Sequence, residues 1–164
     1  MATIEEYARQ LREERMARIE RTPGELADAV KGASGTVLAR RPAPKSWAAT
    51  EVICHLRDNE EWFLDRMKLV VAMELPRFVT TNPDRWAEER QYLTNDAVRA
   101  LAAFARRRGE TIEFLRTLGS DDWPRAGVHA DSRGRRTIDE FLSVMAWHDD
   151  NHLDQLRRAL AGRP

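Results

Sequence analysis

Trp147-His148-Asp149-Asp150-Asn151-His152 lies within a stretch whose apolar residues Ile138, Met145, Leu156 and Leu160 recur at helical spacing. The stretch opens on Thr137-Ile138-Asp139-Glu140, a capping box, and is expected to run as one helix to about Leu160. A long helix with a single apolar stripe needs other helices to bury it, so this reading commits the chain to helical packing. His148 and His152 stand four apart, which stacks two imidazoles on one helix face about a turn apart. They flank the apolar stripe, at the edge of the expected core.

The segments before it read the same way. Ile4 to Glu20 is charged, with a thin stripe of Ile4, Tyr7, Leu11 and Ile19. Thr22-Pro23-Gly24-Glu25 carries a second capping box with proline at the first helical position, opening a piece through about Lys31. That piece is either a fresh helix or a kinked continuation. After a connection around Gly32, Gly35 and Arg41-Pro42-Ala43-Pro44, a helix is expected from about Ala48 to Met73, striped by Val52, Leu56, Phe63, Met67 and Val70. Pro76 to Tyr92 reads as a long, proline-broken crossover. Asn95 to Leu118 follows as a helix, with Gly119 ending it, and Asp121 to Arg136 is turn-rich. No segment alternates convincingly as a strand. Four long helices and one long crossover describe an all-α, four-helix bundle, in which facing helices commonly build metal sites.

Composition narrows the function. In 164 residues, 27 Lys and Arg balance 27 Asp and Glu, which argues against a nucleic-acid binder despite Arg106-Arg107-Arg108 and the Arg133 to Arg136 cluster. No apolar run approaches a membrane span, and Met1 to Glu5 lacks a signal-peptide core, so a cytoplasmic protein without membrane contact is expected. The single Cys54 excludes an internal disulfide and a cysteine-built metal site, and reads as a small buried hydrophobe.

His55, in Val52-Ile53-Cys54-His55-Leu56, offers a third imidazole from another helix. One ligand from one helix and two from another make an open three-histidine site for a divalent metal; the plainer alternative is three polar residues at the core edge. Asn59, one turn beyond His55, and Gln155, beside His152, suit a supporting role behind the ligands, although Gln155 reads equally as a solvated rim residue. Arg108 and Asp149 each interrupt an apolar stripe. They either pair inside the bundle, or Asp149 accepts a proton from a liganding imidazole while Arg108 binds a substrate anion, or Arg108 snorkels to solvent. His129, after Gly127, reads as structural or pocket-lining.

Taken in order, these residues resemble the DinB-like (YfiT-like) family of small metal-dependent enzymes. The resemblance rests on Arg41-Pro42-Ala43-Pro44-Lys45-Ser46-Trp47 leading into Glu51-Val52-Ile53-Cys54-His55-Leu56, and on Trp86 with Arg90 and Tyr92. Phe104 with Arg108, Gly127-Val128-His129 with Gly134 and Thr137, and His148-Asp149 with His152 and Gln155 complete it. It covers the chain from Thr22 onward and leaves Met1 to Arg21 outside, so residues 1–21 are expected as an N-terminal helical extension to a bundle domain of residues 22–164. The resemblance implies up-down-down-up topology and carries His55, His148 and His152 over as ligands to one metal, commonly zinc or nickel. Ala48 departs from the family's capping serine, which touches the helix start and not the metal.

Two functions follow as expectations. One is an enzyme that acts on a small molecule, either by hydrolysis or, with a low-molecular-weight thiol, by the transfers and isomerisations the resemblance implies. No residue selects a general base. The other is a non-catalytic metal-binding or stress-response protein. A homodimer is the expected assembly, with the N-terminal stretch available for its contacts.

Overall fold

The computed structural model describes residues 2–79, 82–131 and 133–164. Four long helices dominate it: α2 (Arg12–Val30), α4 (Ala49–Ala72), α6 (Ala97–Arg116) and α7 (Ile138–Leu160). Short helices α1 (Ile4–Ala8), α3 (Gly35–Leu38) and α5 (Pro83–Glu89), with a 3₁₀ turn at Tyr92–Thr94, fill the connections.

Cross-links between helices fix the topology. Arg15 of α2 bonds Asp139 and Ser143 near the start of α7, and Arg18 bonds Asp150 further on, so α2 and α7 run parallel. His55 of α4 meets His152 of α7, and Phe63 further along α4 meets Phe141 nearer the start of α7, so α4 opposes α7. Cys54 and Asp58 contact Tyr92 just before α6, while Glu60 pairs with Arg108 farther along both helices. Helices α4 and α6 are therefore parallel, joined by the long crossover, and the order is up-down-down-up. Asp58 ties that crossover down, accepting from Tyr92 Oη at 2.7 Å and from Arg90 and Arg57.

The first described residues pack on the bundle. Tyr7, Arg15, Arg18 and Ile19 are buried against the bundle, and α2 continues through residues 21 and 22. The break in the N-terminal stretch falls before Arg12, where Glu14 accepts from the Leu11 N–H at 2.9 Å and starts α2. Of the two readings of Thr22-Pro23, the continuing helix holds. Thr22 does not cap; its hydroxyl bonds Asp149 at 2.5 Å. Pro23 has no N–H to give the Ile19 carbonyl four residues back. Arg108 Nη1 donates to that oxygen instead, at 2.7 Å, so the proline costs α2 no satisfied acceptor.

A three-stranded sheet was not expected. Strand β1 (Arg77–Phe78) pairs in parallel with β2 (Ala126–His129), which pairs antiparallel with β3 (Arg135–Thr137). It lies in the segments read as crossover and turns, and closes one end of the bundle with Phe78 packed into the core.

Candidate metal centre

His55 lies in the second turn of α4, which starts at Ala49 and so sets its position. Ala48, the residue preceding the helix, has no side-chain acceptor, so only half of a capping box forms: Glu51 Oε2 accepts from the Ala48 N–H at 2.9 Å. Arg41 holds Glu51 in turn, with Nε to Oε2 at 2.8 Å. His148 and His152 come from the middle of α7, which runs antiparallel to α4 and so faces its first turns.

The three imidazoles meet there. One nitrogen from each of His55, His148 and His152 lies within 4.8 Å of the others. The Nε2 atoms of His55 and His148 are 3.0 Å apart. Two nitrogens bound to one tetrahedral ion at ordinary zinc distances would be about 3.3 Å apart. The donor set therefore fits a borderline divalent ion with little rearrangement. Among the described residues, no carboxylate or thiolate joins this cluster.

The surroundings favour the ligating, neutral form. Burial holds His55 and His148 well below the ordinary histidine range, with neighbouring His152 adding to the shift. Burial also lowers His152. His152 Nδ1–H donates to Gln155 Oε1 at 2.7 Å, which leaves Nε2 free for the centre, as a supporting residue should. Asn59 is beside His55, but its Nδ2 is 3.0 Å from Nδ1 and 3.3 Å from Nε2. Nearly equal distances put the amide across the ring rather than on one lone-pair axis, and it donates to the His55 carbonyl at 3.0 Å.

Trp47 was quoted in the sequence without a role. Its ring lies 4.9 Å from His55 and stacks at 6.5 Å on His152, walling the centre on one side. Its position immediately before the start of α4 was the available signal. A cleft of about 350 Å³ opens there, lined by Trp47, Ser46, His152 and Gln155 among others.

Arg108 and Asp149 are both inside, and two of their expected roles are corrected. Arg108, 2% exposed, holds Asp149 through Nη1–Oδ2 at 2.5 Å and Nη2–Oδ1 at 3.0 Å. Its remaining terminal N–H groups go to Glu60 Oε2 at 2.7 Å and to the Ile19 carbonyl. All four terminal N–H groups are taken and only Nε–H lacks a partner, so Arg108 is an internal strut that does not snorkel. Asp149 spends its oxygens on Arg108 and Thr22 and accepts from no imidazole. Neighbouring residues on a helix diverge by about 100°, so Asp149 points behind the His148 face. Burial alone would lower the Arg108 pKa, but Asp149 and Glu60 reverse this and raise it. Glu60 lies off the His55 face of α4, and its partner Arg108 comes from another helix.

Cys54 is fully buried, and burial pushes its thiol up to about 11, so it packs as a hydrophobe. His129 sits on β2 among aromatic rings, apart from the histidine cluster.

Comparison with known proteins agrees with this architecture. The family described as the DinB superfamily matches residues 3–156, which takes in most of the stretch that the motif resemblance left out. YfiT of Bacillus subtilis (strain 168), provisionally named a metal-dependent hydrolase, is 26% identical over 135 residues, covering 82% of this chain and 76% of that protein. OB0413 of Oceanobacillus iheyensis, named in the same way, is 23% identical over 147 residues, covering 89% and 83%. The solved YfiT structure, described as a probable metal-dependent hydrolase with an unusual four-helix bundle topology, superposes with TM-score 0.85 at 24% identity, over 90% of this chain and 85% of that one. A mycothiol-dependent maleylpyruvate isomerase shares the fold at TM-score 0.72 and 15% identity, over 95% and 63%.

Proposed function

The chain belongs to the DinB superfamily, and on that premise we propose that it is a divalent-metal-dependent enzyme acting on a small molecule. His55, His148 and His152 hold the metal, zinc or nickel, and the reaction is hydrolysis or thiol-dependent transfer. The observation that carries this reading is the convergence of three neutral imidazoles, joined by no fourth ligand among the described residues, beside an open cleft. A closed structural site ordinarily has four protein ligands, whereas three leave a position for chemistry. When bound, a divalent ion would supply Lewis acidity, favouring deprotonation of a water or thiol and polarising a substrate oxygen.

The chain's own residues orient and enclose. Gln155 keeps the proton of His152 on Nδ1, facing away from the centre. Trp47 shields one side and narrows the entrance. The cleft is of a size that takes a small molecule and not a polymer. The provisional hydrolase names of the relatives support the first reaction class, and the mycothiol-dependent isomerase of the same fold supports the second.

The test begins with elemental analysis of protein purified without a histidine tag. One zinc or nickel per chain is expected, and His148→Ala should lose it. Unchanged stoichiometry in that variant would remove the site. Incubation with low-molecular-weight thiols and with small ester and amide substrates then separates the two reactions. A metal-loaded protein inert towards both classes would overturn the enzymatic reading.

A further inference from the structure

Helix α4 carries His55, Asn59, Trp62 and Arg66 at steps of four, three and four residues, so all four share one face. Two turns from His55, that face meets β2 and the hairpin after it. There we propose a second binding site, for an oxyanion such as a phosphate or carboxylate, formed by Trp62, Arg66, His129 and Arg133. It is independent of the reading of the histidine centre.

The first observation is a set of buried donors with nothing to accept from them. Among the described residues, Trp62 Nε1, Arg66 Nε and both ring nitrogens of His129 have no hydrogen-bond partner. Trp62 Nε1 and Arg66 Nε can only donate, and a neutral imidazole always carries one N–H. Native interiors rarely leave such groups unpaired. The groups also lie together. The Arg66 guanidinium is 3.1 Å from the Trp62 ring centre, and the Trp62 and His129 rings are 5.8 Å apart. Phe78 touches both sides of the cluster, 5.1 Å from His129 and 5.1 Å from the Arg66 guanidinium.

The second observation is unbalanced charge. Arg66 is buried without a salt bridge among the described residues; its Nη2 donates only to the Val79 carbonyl, at 2.5 Å. Arg133 approaches Trp62 at 5.6 Å, and Asp131 is already taken by Arg133. Burial and then Arg133 pull the Arg66 pKa down to about 9, with Asp131 and Asp65 opposing from longer range. A water molecule could accept from one or two of these donors but would leave the cationic excess. An oxyanion answers both deficits, because it is rich in acceptor oxygens and negative.

Nuclear magnetic resonance of ¹⁵N-labelled protein tests this directly, with the Trp62 indole signal assigned by its loss in Trp62→Phe. Sodium phosphate and sodium acetate are titrated separately against sodium chloride at equal ionic strength. The Trp62 signal should move saturably with at least one oxyanion and not with chloride. Arg66→Met and Arg133→Met should each weaken that response about tenfold or more. Arg133 lies at the surface, so its variant keeps the test open should Arg66→Met fail to fold. No movement with either oxyanion, on the order of 50 mM, or an unchanged response in the folded variants, overturns the site.

Discussion

Arg108 ties all four long helices together. Its guanidinium joins α6 to Glu60 on α4, to Asp149 on α7 and to the Ile19 carbonyl on α2. The last contact exists because Pro23 withholds the helix's own donor, so a residue unfavourable in a helix becomes the docking point for a buried cation. Replacing Arg108 with methionine fills the volume but strands two carboxylates in the interior. A loss of about 3–5 kcal/mol is expected for breaking such a network on one side. Urea unfolding of Arg108→Met measures it, and adding Asp149→Leu and Glu60→Met in the same chain should restore much of the loss. A single-variant loss below about 1 kcal/mol would mean that the network behaves like a surface ion pair. That the arginine would be internal was legible, because it breaks an apolar stripe. Its partners on α2 and α4 were not, because nothing local couples residues 19, 60 and 108.

At the scale of elements, the long helices could be read because their apolar residues repeat over twenty or so positions, long enough for a period of 3.6 to stand out. The strands could not. Strand β1 has two residues and β3 has three, too few to alternate, and both lie among turn residues. Their pairing depends on one close approach. A Cβ on Gly127 would stand 2.2 Å from Phe78 Cζ, so glycine is the side-chain-free surface against which that ring packs. Phe78 cannot swing clear, since Phe141 and His129 enclose it at 5.9 and 5.1 Å. Gly127→Ala should therefore cost about 1–3 kcal/mol by overpacking. Denaturant midpoints give the value, and a crystal structure of the variant should show Phe78 displaced. Wild-type stability in that variant would place the ring's freedom well above what its neighbours allow.

The whole molecule couples its stability to protons through its histidines. The up-down-down-up order sets the first turns of α4 against the middle of α7, and this brings His55, His148 and His152 into the interior together. Their convergence was readable from spacing and motif order. The aromatic enclosure of His129 was not, since it needs the sheet that the sequence concealed. All four histidines are shifted the same way: His55 and His148 well below the ordinary value, His152 below it, and His129 down to about 4 through burial and then Arg133 and Arg66. An unfolded chain protonates each of them near about pH 6.5, while the folded chain resists. Below that pH the unfolded form binds more protons, so folding stability falls as pH drops from there towards the folded values. Asp58 and Asp139, both held below the usual carboxylate range, extend the loss to lower pH rather than offset it. The metal-free protein should thus show a flat urea midpoint above about pH 6.5 and a declining one below it. His148→Gln, lacking one shifted group, should decline less steeply. Added zinc or nickel should raise the midpoint at neutral pH by binding only the folded form, and because the folded imidazoles resist protonation the increment should persist below about pH 6.5, fading only towards their lowered folded values. A midpoint that stays level down to about pH 5, or a metal increment already lost there, would contradict the burial of neutral histidines from which both expectations are drawn.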